Sequence, residues 1–566
     1  MPGSCSRSVN AKDSPRAWAS AARCDDRNLT ETYARTALNI SSRSGVRLSE
    51  LVASLSLATD LGLGQPQEHV LRQAVLADRL AELAGLDADA RAALFYVSLL
   101  AWVGCVADSH ELAHWFGDDS RLRGASYQVD RAGLPMLRFL LANLELGNGT
   151  TERLASLASF MTAGMQEVMS SMDAHCQTTG EIADGLGLAP EVRRALPQVM
   201  ERWDGRGAPK HLKGPQIEPI MRIAQIANEA EVFARIGGVS AVADMLRSRR
   251  GSQFDPMLVD LAIEHAVDML DGLDSVNAWE SVIQGSASLD RSMSEAELDA
   301  TFETFADYAD LKSPWFLGHS RASAALAAEA ARRANLPARD VALVLRAALV
   351  CRLGVIGVSA ATWDRPGRLS PIELEHVRTV PYLTERVLKN QPVLAEIGGV
   401  AGMFHERLDG SGYPRGLSGA AIPPAARVVA AAEVYQALRE ERPHRRALPR
   451  PEAADLLARE VSAGRLDGAA AQAVLAAAGH RTRRQTSMTG GLSAREAEVL
   501  ALVARGLSNK QIAARLSITP RTAGSHIEHI YDKIGATTRG SAALYAMRHG
   551  LIDATAHEEE MPSDIG

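Results

Sequence analysis

The sequence predicts an all-α protein with two tandem helical domains followed by a small four-helix domain. Three observations lead to this prediction. From about residue 46 onward, Ala- and Leu-rich amphipathic segments are separated by Gly, Pro and Asp turns, and the alternation typical of strands is scarce. A seven-residue pattern recurs after 205 residues. Near the C-terminus, two capping-box patterns mark closely spaced helix starts.

The length of 566 residues is too great for one hydrophobic core. The N-terminal stretch is rich in Ser, Ala, Arg and Asp without apolar periodicity, so we expect it to be disordered. The predicted segments are a disordered stretch at 1–45, a first helical domain at 46–275 with an insertion near 120–165, a second helical domain at 306–480, a linker at 481–490, a C-terminal domain at 491–555 and an acidic tail at 556–566.

Charge is distributed unevenly along the chain. The formal net charge of -7 excludes a uniformly basic coat for nucleic acid. Residues 481–553, however, contain 11 Lys and Arg against 5 Asp and Glu, which leaves a charge of -13 on the remainder. This asymmetry favours a nucleic-acid-binding end on an acidic body. Chance variation in surface charge is the alternative explanation.

The five cysteines include no C-x-x-C pair, so neither a zinc knuckle nor a disulfide framework is indicated. We therefore expect a reducing, cytoplasmic location. The longest uncharged stretch, 92–107, has 16 residues, which is short for a membrane span and typical of a buried helix. No charged-then-apolar leader opens the sequence, so we expect no secretory signal and no membrane partner.

The two helical domains are predicted to be copies of one unit. The segment E-R-W-D-G-R-G at Glu201–Gly207 matches E-R-L-D-G-S-G at Glu406–Gly412 in five of seven positions. Upstream, His69 and His319 stand 250 residues apart and precede similar apolar runs. The difference between the two spacings implies about 45 additional residues in the first copy.

The second copy resembles an HD-GYP domain, a class of helical, metal-dependent phosphodiesterases acting on cyclic di-GMP. The resemblance rests on F-H-E-R-L-D-G-S-G-Y-P-R-G-L-S-G at Phe404–Gly419 and on I-P-P-A-A-R-V-V-A-A-A-E-V-Y-Q-A-L at Ile422–Leu438. It implies a site in which imidazoles and carboxylates hold metal ions that activate a water molecule. The first copy carries a weaker version of the same pattern.

The resemblance places the family's metal-ligand positions on residues that mostly cannot bind a metal. Those positions are His319, Cys351, Arg352, Val380, Phe404, His405 and Glu433 in the second copy, and His69, Ala101, Trp102, His175, Val199, Met200 and Asn228 in the first. Arg352 puts a permanent cation where a divalent ion would bind, and the apolar side chains cannot ligate a hard cation. We therefore expect no metal, no cofactor, no catalytic residue and no enzymatic activity.

The residues that survive around this position are candidates for a ligand site. They are His319, Arg352, His405, Asp409 and Tyr413. The resemblance places the D-G-S-G-Y-P loop beside the substrate pocket and suggests a nucleotide effector. The alternative is that the histidines are structural and that the loop only holds helices together, because its composition is that of a turn.

The C-terminal segment predicts a helix-turn-helix. Ser493 with Glu496 and Ser508 with Gln511 have capping-box spacing, while Thr519 and Pro520 suit the start of a third helix that runs to about residue 534. The third helix has one apolar stripe, formed by Ala523, Ile527, Ile530 and Ile534. A fourth helix is predicted at 538–549.

The segment Leu492–Gly535, read as L-S-A-R-E-A-E-V-L through H-I-Y-D-K-I-G, resembles a LuxR-type DNA-binding domain, and the match covers about 65 residues. The resemblance implies a third helix in the major groove of double-stranded DNA and use as a homodimer. By their chemistry, the candidates for phosphate and base contacts are Ser508, Asn509, Lys510, Thr519, Arg521, Thr522, Ser525, Glu528, His529 and Lys533. A helical bundle that binds protein is the alternative.

Together these patterns predict a cytoplasmic transcriptional regulator. Its two degenerate HD-type copies would sense a ligand or partner, and its C-terminal domain would bind DNA. One alternative is a metal-dependent phosphodiesterase or phosphohydrolase with a DNA-binding tail. Another is a scaffold whose body only dimerises the DNA-binding end.

Overall fold

The computed structural model describes residues 43–146, 150–275, 277–285, 291–480, 492–536, 542–543, 545–546 and 551. The chain forms two compact units, one up to His480 and one from Arg481 onward. The helical fold class is confirmed. Of the stretch predicted to be disordered, residues 1–42 lie outside the described part, whereas Arg43–Arg47 form a strand.

The first half of the body is a succession of helices after the short strand β1. The elements are β1 (Arg43–Arg47), α1 (Leu48–Gly62), α2 (His69–Leu83), α3 (Ala88–Leu100), α4 (Ser109–Phe116), α5 (Asp119–Ser126), α6 (Gly133–Asn143), α7 (Thr150–Ser159), α8 (Met165–Gly185), α9 (Pro190–Ala195), α10 (Pro219–Arg249), α11 (Pro256–Glu264), α12 (Ala266–Leu270) and α13 (Ala278–Gly285). Helix α10 is interrupted at Gly237 and Gly238, where Gly238 has a φ of 61°. This left-handed backbone favours glycine.

The second half begins with a strand that pairs with β1. The elements are β2 (Ser292–Ser294), α14 (Glu295–Asp310), α15 (His319–Arg333), α16 (Ala338–Val350), α17 (Ala360–Trp363), α18 (Pro371–Arg378), α19 (Val380–Leu388), α20 (Pro392–Ala401), α21 (Pro424–Arg439), α22 (Arg450–Ser462) and α23 (Gly468–Ala477). Strands β1 and β2 are antiparallel, with Arg43 opposite Ser294. Helices α2 and α3 recur 250 residues later as α15 and α16, with the same lengths.

Matched hydrogen bonds accompany the recurring helices. The carboxylate of Asp60 accepts from the backbone N–H of Val70 at 3.0 Å, and that of Asp310 accepts from Ser320 at 2.8 Å. Both pairs fix the start of the helix that begins with His69 or His319. These contacts support an internal repeat, while the assignment of both halves as HD-GYP domains stays a prediction.

The E-R-x-D-G loops are held in the same way in both halves. Glu201 accepts from the backbone N–H groups of Lys210 and Leu212 at 2.7 and 2.9 Å. Glu406, which lies 205 residues later, accepts from Arg415 and Leu417 at 2.8 and 2.9 Å. A buried carboxylate that accepts two N–H bonds fixes a loop that has no other regular structure.

The two halves share one hydrophobic core and therefore do not separate into distinct units. Polar contacts also cross between them. Lys312 is fully buried, and its Nζ donates to Asp119 Oδ2 at 2.6 Å. Asp119 also accepts from Arg123 at 2.7 Å and from the backbone of Ala360 at 3.0 Å. Burial alone would raise the pKa of Asp119, but the charges of Lys312 and Arg123 hold it well below its usual value.

One helical run in the described residues, Ala88–Phe116, is long and apolar enough to cross a membrane by length and composition. Its most apolar window is 72% buried within the protein. The run contains α3, a 3-10 turn at Val103–Asp108 and α4. These features fit the buried helix that the uncharged stretch at 92–107 predicts.

The C-terminal unit contains the three predicted helices of the helix-turn-helix pattern. They are α24 (Ala494–Ala504), α25 (Asn509–Leu516) and α26 (Pro520–Ile534). Their apolar faces form a core of their own. The predicted stripe is confirmed, because Ala523, Ile527 and Ile530 are buried and the half-buried Ile534 packs against the same core. The linker at 481–490, most of the predicted fourth helix at 538–549 and the tail at 556–566 lie outside the described residues.

The buried pair of Lys312 and Asp119 yields a stability prediction. Lys312→Met removes the cation but keeps most of the volume, so Asp119 loses a partner inside the core. We expect the free energy of unfolding to fall by about 3 kcal/mol, measured by urea denaturation of the full chain. Arg250→Ala removes one partner of an exposed ion pair with Asp260 and should leave stability nearly unchanged. Equal effects of the two variants would contradict the prediction.

Candidate functional site

The C-terminal unit exposes one face of α26 beside the start of α25. Three side-chain caps set the directions of the helices: Ser493 accepts from the N–H of Glu496 at 3.2 Å, Ser508 from Gln511 at 3.4 Å, and Thr519 from Thr522 at 3.1 Å. Each cap satisfies a backbone donor that lacks a partner within the helix. The α25–α26 turn passes through Ser517, which has a φ of 52°.

All ten predicted DNA contacts are exposed. Arg521, Thr522, Ser525, Glu528 and His529 lie on α26 away from its buried stripe. Ser508, Asn509 and Lys510 lie at the start of α25. The arrangement places a cation, hydroxyls and an imidazole along one exposed helix face.

Lys533 is a candidate that forms an ion pair within the C-terminal unit. Its Nζ donates to both carboxylate oxygens of Glu496 at 2.8 Å. Glu496 in turn accepts from the backbone of Ser493. Lys533 therefore ties the end of α26 to the start of α24, a structural contact between distant segments that the local sequence pattern does not reveal.

The centre of the second half is a network of buried charges. His319, the first residue of α15, has Nε2 at 2.9 Å from both oxygens of Glu433 and Nδ1 at 2.6 Å from Glu440. Arg352 donates to Glu433 at 3.0 Å and lies 4.1 Å above the ring of Phe316. Two of the predicted ligand-site residues, His319 and Arg352, thus meet at one carboxylate.

The partners in this network determine its protonation. Burial alone would lower the pKa of His319, but the Glu433 charge raises it to about 9. Burial would raise the pKa of Glu433, and the charges of His319 and Arg352 outweigh that effect, so it lies below its usual range. At neutral pH, His319 is therefore a cation that faces two carboxylates.

The loop residues divide into two groups. The rings of His405 and Tyr413 stack with centroids 4.6 Å apart. Burial lowers the pKa of His405 to about 3, so this imidazole is neutral at pH 7. Asp409 is exposed, and its carboxylate accepts from the backbone and hydroxyl of Ser411 at 2.9 and 2.6 Å. Asp409 therefore stabilises the turn, and no described contact joins it to His319 or Arg352.

Three residues of the network were absent from the predicted site. Glu433 stands at the position of the family's final aspartate, so the family pattern identified it in the sequence. Glu440 and Arg442 follow α21, and Arg442 donates to Glu440 at 2.9 Å. In the sequence they appear only as a charged run, E-E-R, that follows the segment Ile422–Leu438 on which the resemblance rests.

The residues at this centre do not fit a hydrolytic metal ion. Both ring nitrogens of His319 face carboxylates, and Arg352 places a guanidinium against Glu433. Throughout the described part of the chain, no three His, Cys, Asp or Glu side chains are arranged to hold a metal ion. The side chains at this position therefore do not form a site for a metal ion that would activate a water molecule.

The first half has a different arrangement at the matching position. His69 Nδ1 lies 2.5 Å from Glu231, and its Nε2 lies 3.2 Å from the side-chain oxygen of Asn228. His175 Nε2 lies 3.1 Å from the carbonyl of Ala101, and burial lowers its pKa to about 4. Asn228 and Trp102 line a cavity of about 410 Å³.

Comparison with known proteins identifies two domains. An HD domain model matches residues 303–470, and the model of bacterial regulatory proteins of the LuxR family matches residues 491–546. The chain therefore contains an HD domain followed by a LuxR-family DNA-binding domain. The C-terminal part is also 41% identical over 76 residues to the probable transcriptional regulatory protein NarL of Mycobacterium tuberculosis, covering 13% of this chain and 35% of that protein.

The body is similar to phosphodiesterases of Vibrio cholerae. The 3'3'-cGAMP-specific phosphodiesterase 3 is 29% identical over 407 residues, which is 71% of this chain and 88% of that protein. A crystal structure of a cyclic GMP-AMP-specific phosphodiesterase from the same organism matches with a TM-score of 0.53 and 25% identity, covering 77% of this chain and 98% of the other.

These similarities correct two predictions. The prediction of a regulator with catalytically inactive HD-type copies is wrong, and so is the prediction that the chain is not an enzyme, because the relatives that span the body are named phosphodiesterases. The alternative of an HD-type phosphodiesterase with a DNA-binding tail is favoured instead. The predictions failed because they judged the body only by individual metal-ligand positions.

The charge network at His319 predicts a pH dependence of stability. Because the folded-state pKa of about 9 exceeds the ordinary 6.5, the stabilisation is fully present below pH 6.5 and is lost as the pH rises through 9. We expect His319→Gln to be less stable than the wild type by about 3 kcal/mol at pH 6. The difference should shrink by pH 9.5.

Urea denaturation of the full chain at several pH values measures this difference. His376→Gln provides a matched control, because His376 is exposed on α18. A difference between wild type and His319→Gln that stays constant from pH 6 to 9.5 would show that His319 is not held as a cation.

Proposed function

We propose that the chain is an HD-type phosphodiesterase that acts on a cyclic dinucleotide and also binds double-stranded DNA. The observation that carries the first part is the similarity to a cGAMP-specific phosphodiesterase over 88% of that protein's length. The match to a solved phosphodiesterase structure supports it further. The second part rests on the LuxR-family match and on the exposed face of α26.

The proposed reaction is hydrolysis of one phosphodiester bond. Water adds to phosphorus, the bond to one ribose oxygen breaks, and that oxygen takes a proton, so a cyclic dinucleotide becomes linear. The HD match at 303–470 favours the second half as the place of reaction. We assign no step to a metal ion, because the donor set around His319 does not fit one.

Arg352 is the residue best suited to hold the phosphodiester. Among the described residues, its Nε and Nη2 have no hydrogen-bond partner, although its Nη1 donates to Glu433. Guanidinium groups form strong, charge-assisted hydrogen bonds with phosphate oxygens. Tyr413, whose ring stacks on that of His405, lies on the D-G-S-G-Y-P loop, which the resemblance places beside the substrate.

An assay with 3'3'-cGAMP tests the catalytic proposal. We expect the purified full chain to produce a linear dinucleotide, detected by liquid chromatography. Arg352→Met should lower kcat/KM at least tenfold, because a charge-assisted hydrogen bond is worth roughly 1.5–3 kcal/mol. The matched variant in the first half, Trp102→Met, should retain turnover. Absence of turnover with cGAMP and cyclic di-GMP, with or without added Mn²⁺, would refute the proposal.

DNA binding is proposed to occur as a cytoplasmic homodimer, with α26 in the major groove. Arg521 lies in the first turn of α26 and is exposed, so it can reach a base edge or a phosphate. Of the backbone N–H groups in the first turn of α26, that of Arg521 is suited to a phosphate, because Pro520 has no N–H and that of Thr522 donates to Thr519. Lys510 supplies a further cation for the DNA backbone.

Substitution of Arg521 tests this interface. Duplexes selected from a random pool by the full chain provide the ligand, and fluorescence anisotropy measures Kd. Arg521→Ala should weaken specific binding by about 1–3 kcal/mol if it contacts a base. Arg505→Ala removes an exposed charge at the end of α24 and should have little effect. Unchanged affinity and salt dependence for Arg521→Ala would exclude the contact.

A further inference from the structure

The first half contains a cavity that the proposed reaction does not use. Its volume of about 410 Å³ lies in the range of small-molecule sites. Its walls are largely aliphatic or aromatic and include Leu112, Leu122, Met136, Leu140, Met165 and Met172. Such a lining favours a ligand that is mainly apolar.

One part of the lining carries buried hydrogen-bond donors without partners. Among the described residues, Trp102 Nε1, Asn228 Nδ2 and Arg131 Nε have no hydrogen-bond partner. Asn228 is fully buried, and Trp102 is 5% exposed. A buried donor without a partner costs free energy, which a ligand with a hydrogen-bond acceptor would recover.

These donors belong to one cluster. The guanidinium of Arg131 lies 4.5 Å from the ring centroid of Tyr127 and 5.4 Å from that of Trp102. The Tyr127 hydroxyl donates to Asn228 Oδ1 at 3.3 Å. The oxygen of Asn228 is therefore engaged, while its nitrogen is the donor that lacks a partner. A single acceptor group could meet more than one of these donors.

The buried charges around the cavity are compensated within the protein. Arg123 pairs with Asp108 and Asp119, and Arg202 pairs with Asp130 at 2.8 Å. Arg131 and Arg249 lie 3.5 and 3.1 Å from the two oxygens of the buried Glu229. A ligand phosphate or carboxylate would have to compete with these acids, so the cavity favours a neutral ligand.

We propose that this cavity binds a neutral, mainly apolar small molecule with a hydrogen-bond acceptor at its polar end. The acceptor, a carbonyl oxygen for example, bonds to Trp102 Nε1 and Asn228 Nδ2. The apolar body lies against the leucine and methionine side chains. This site is separate from the cyclic-dinucleotide site proposed in the second half.

Titration with the fluorescent ketone prodan tests the proposal. Prodan is neutral, has an apolar naphthalene body and accepts hydrogen bonds at its ketone, and its emission reports the polarity around it. We expect saturable binding of one prodan per chain with blue-shifted emission. Leu140→Trp fills the cavity and should abolish binding. Leu134→Trp, on the same helix at a position that is 55% exposed, should preserve it.

A second variant keeps the test informative if Leu140→Trp does not fold. Trp102→Phe removes the Nε1 donor but keeps an aromatic ring, and it should weaken prodan binding about fivefold. No saturable binding, or equal binding to Leu134→Trp and Leu140→Trp, would overturn the proposal. Displacement of prodan by 3'3'-cGAMP would show that the cavity accepts a charged ligand, and it would overturn the proposal that the ligand is neutral. Failure of cGAMP hydrolysis, by contrast, leaves the prodan result unaffected.

Discussion

The centre of the second half depends on compensation of one buried carboxylate. Glu433 is 4% exposed, and an ionised carboxylate at such a depth is very unfavourable without partners. His319 and Arg352 supply the positive charges, and Ser323 donates a further hydrogen bond at 3.1 Å. The same contacts join α15 and α21 to the segment after α16. The network therefore stabilises the fold.

The first half also has to compensate a buried carboxylate, but it does so at a different position. Asn228, the counterpart of Glu433, is neutral and needs no cation. The carboxylate lies three residues further along α10 at Glu231, where His69 and Arg72 contact it. The position that Arg352 occupies in the second half is taken by Trp102. Two halves with similar helices therefore enclose chemically different centres, one charged and one with an apolar cavity.

The three helix starts of the C-terminal unit could be predicted from sequence because a cap involves residues only three apart. Ser493, Ser508 and Thr519 are examples, and the structure shows each side chain accepting the expected backbone N–H. Contacts between distant segments carry no such local signal. Lys312 and Asp119 are 193 residues apart, and Lys533 and Glu496 are 37 apart. The strand at Arg43–Arg47 was missed because its partner, Ser292–Ser294, lies far along the chain.

The candidate site was only partly predictable for a related reason. Motif spacing identified His319, Arg352, His405 and Tyr413, since the family pattern fixes their order in the chain. It could not show that Asp409 bonds within its own turn, or that Glu440 and Arg442 lie beside His319. Hydrogen-bond partners of a charged side chain are set by tertiary packing, which sequence spacing does not determine.

The similarity to phosphodiesterases concerns the fold of the body, whereas the side chains around His319 concern its chemistry. Similarity over most of a relative's length reflects many packing positions, whereas hydrolysis depends on the few side chains that touch the scissile bond. In the proposed site those side chains include the guanidinium of Arg352, a group whose planar donors suit phosphate oxygens. In the proposed site, the positive charge of Arg352 therefore has two effects. It favours binding of the phosphodiester, and it excludes a metal ion from the same position.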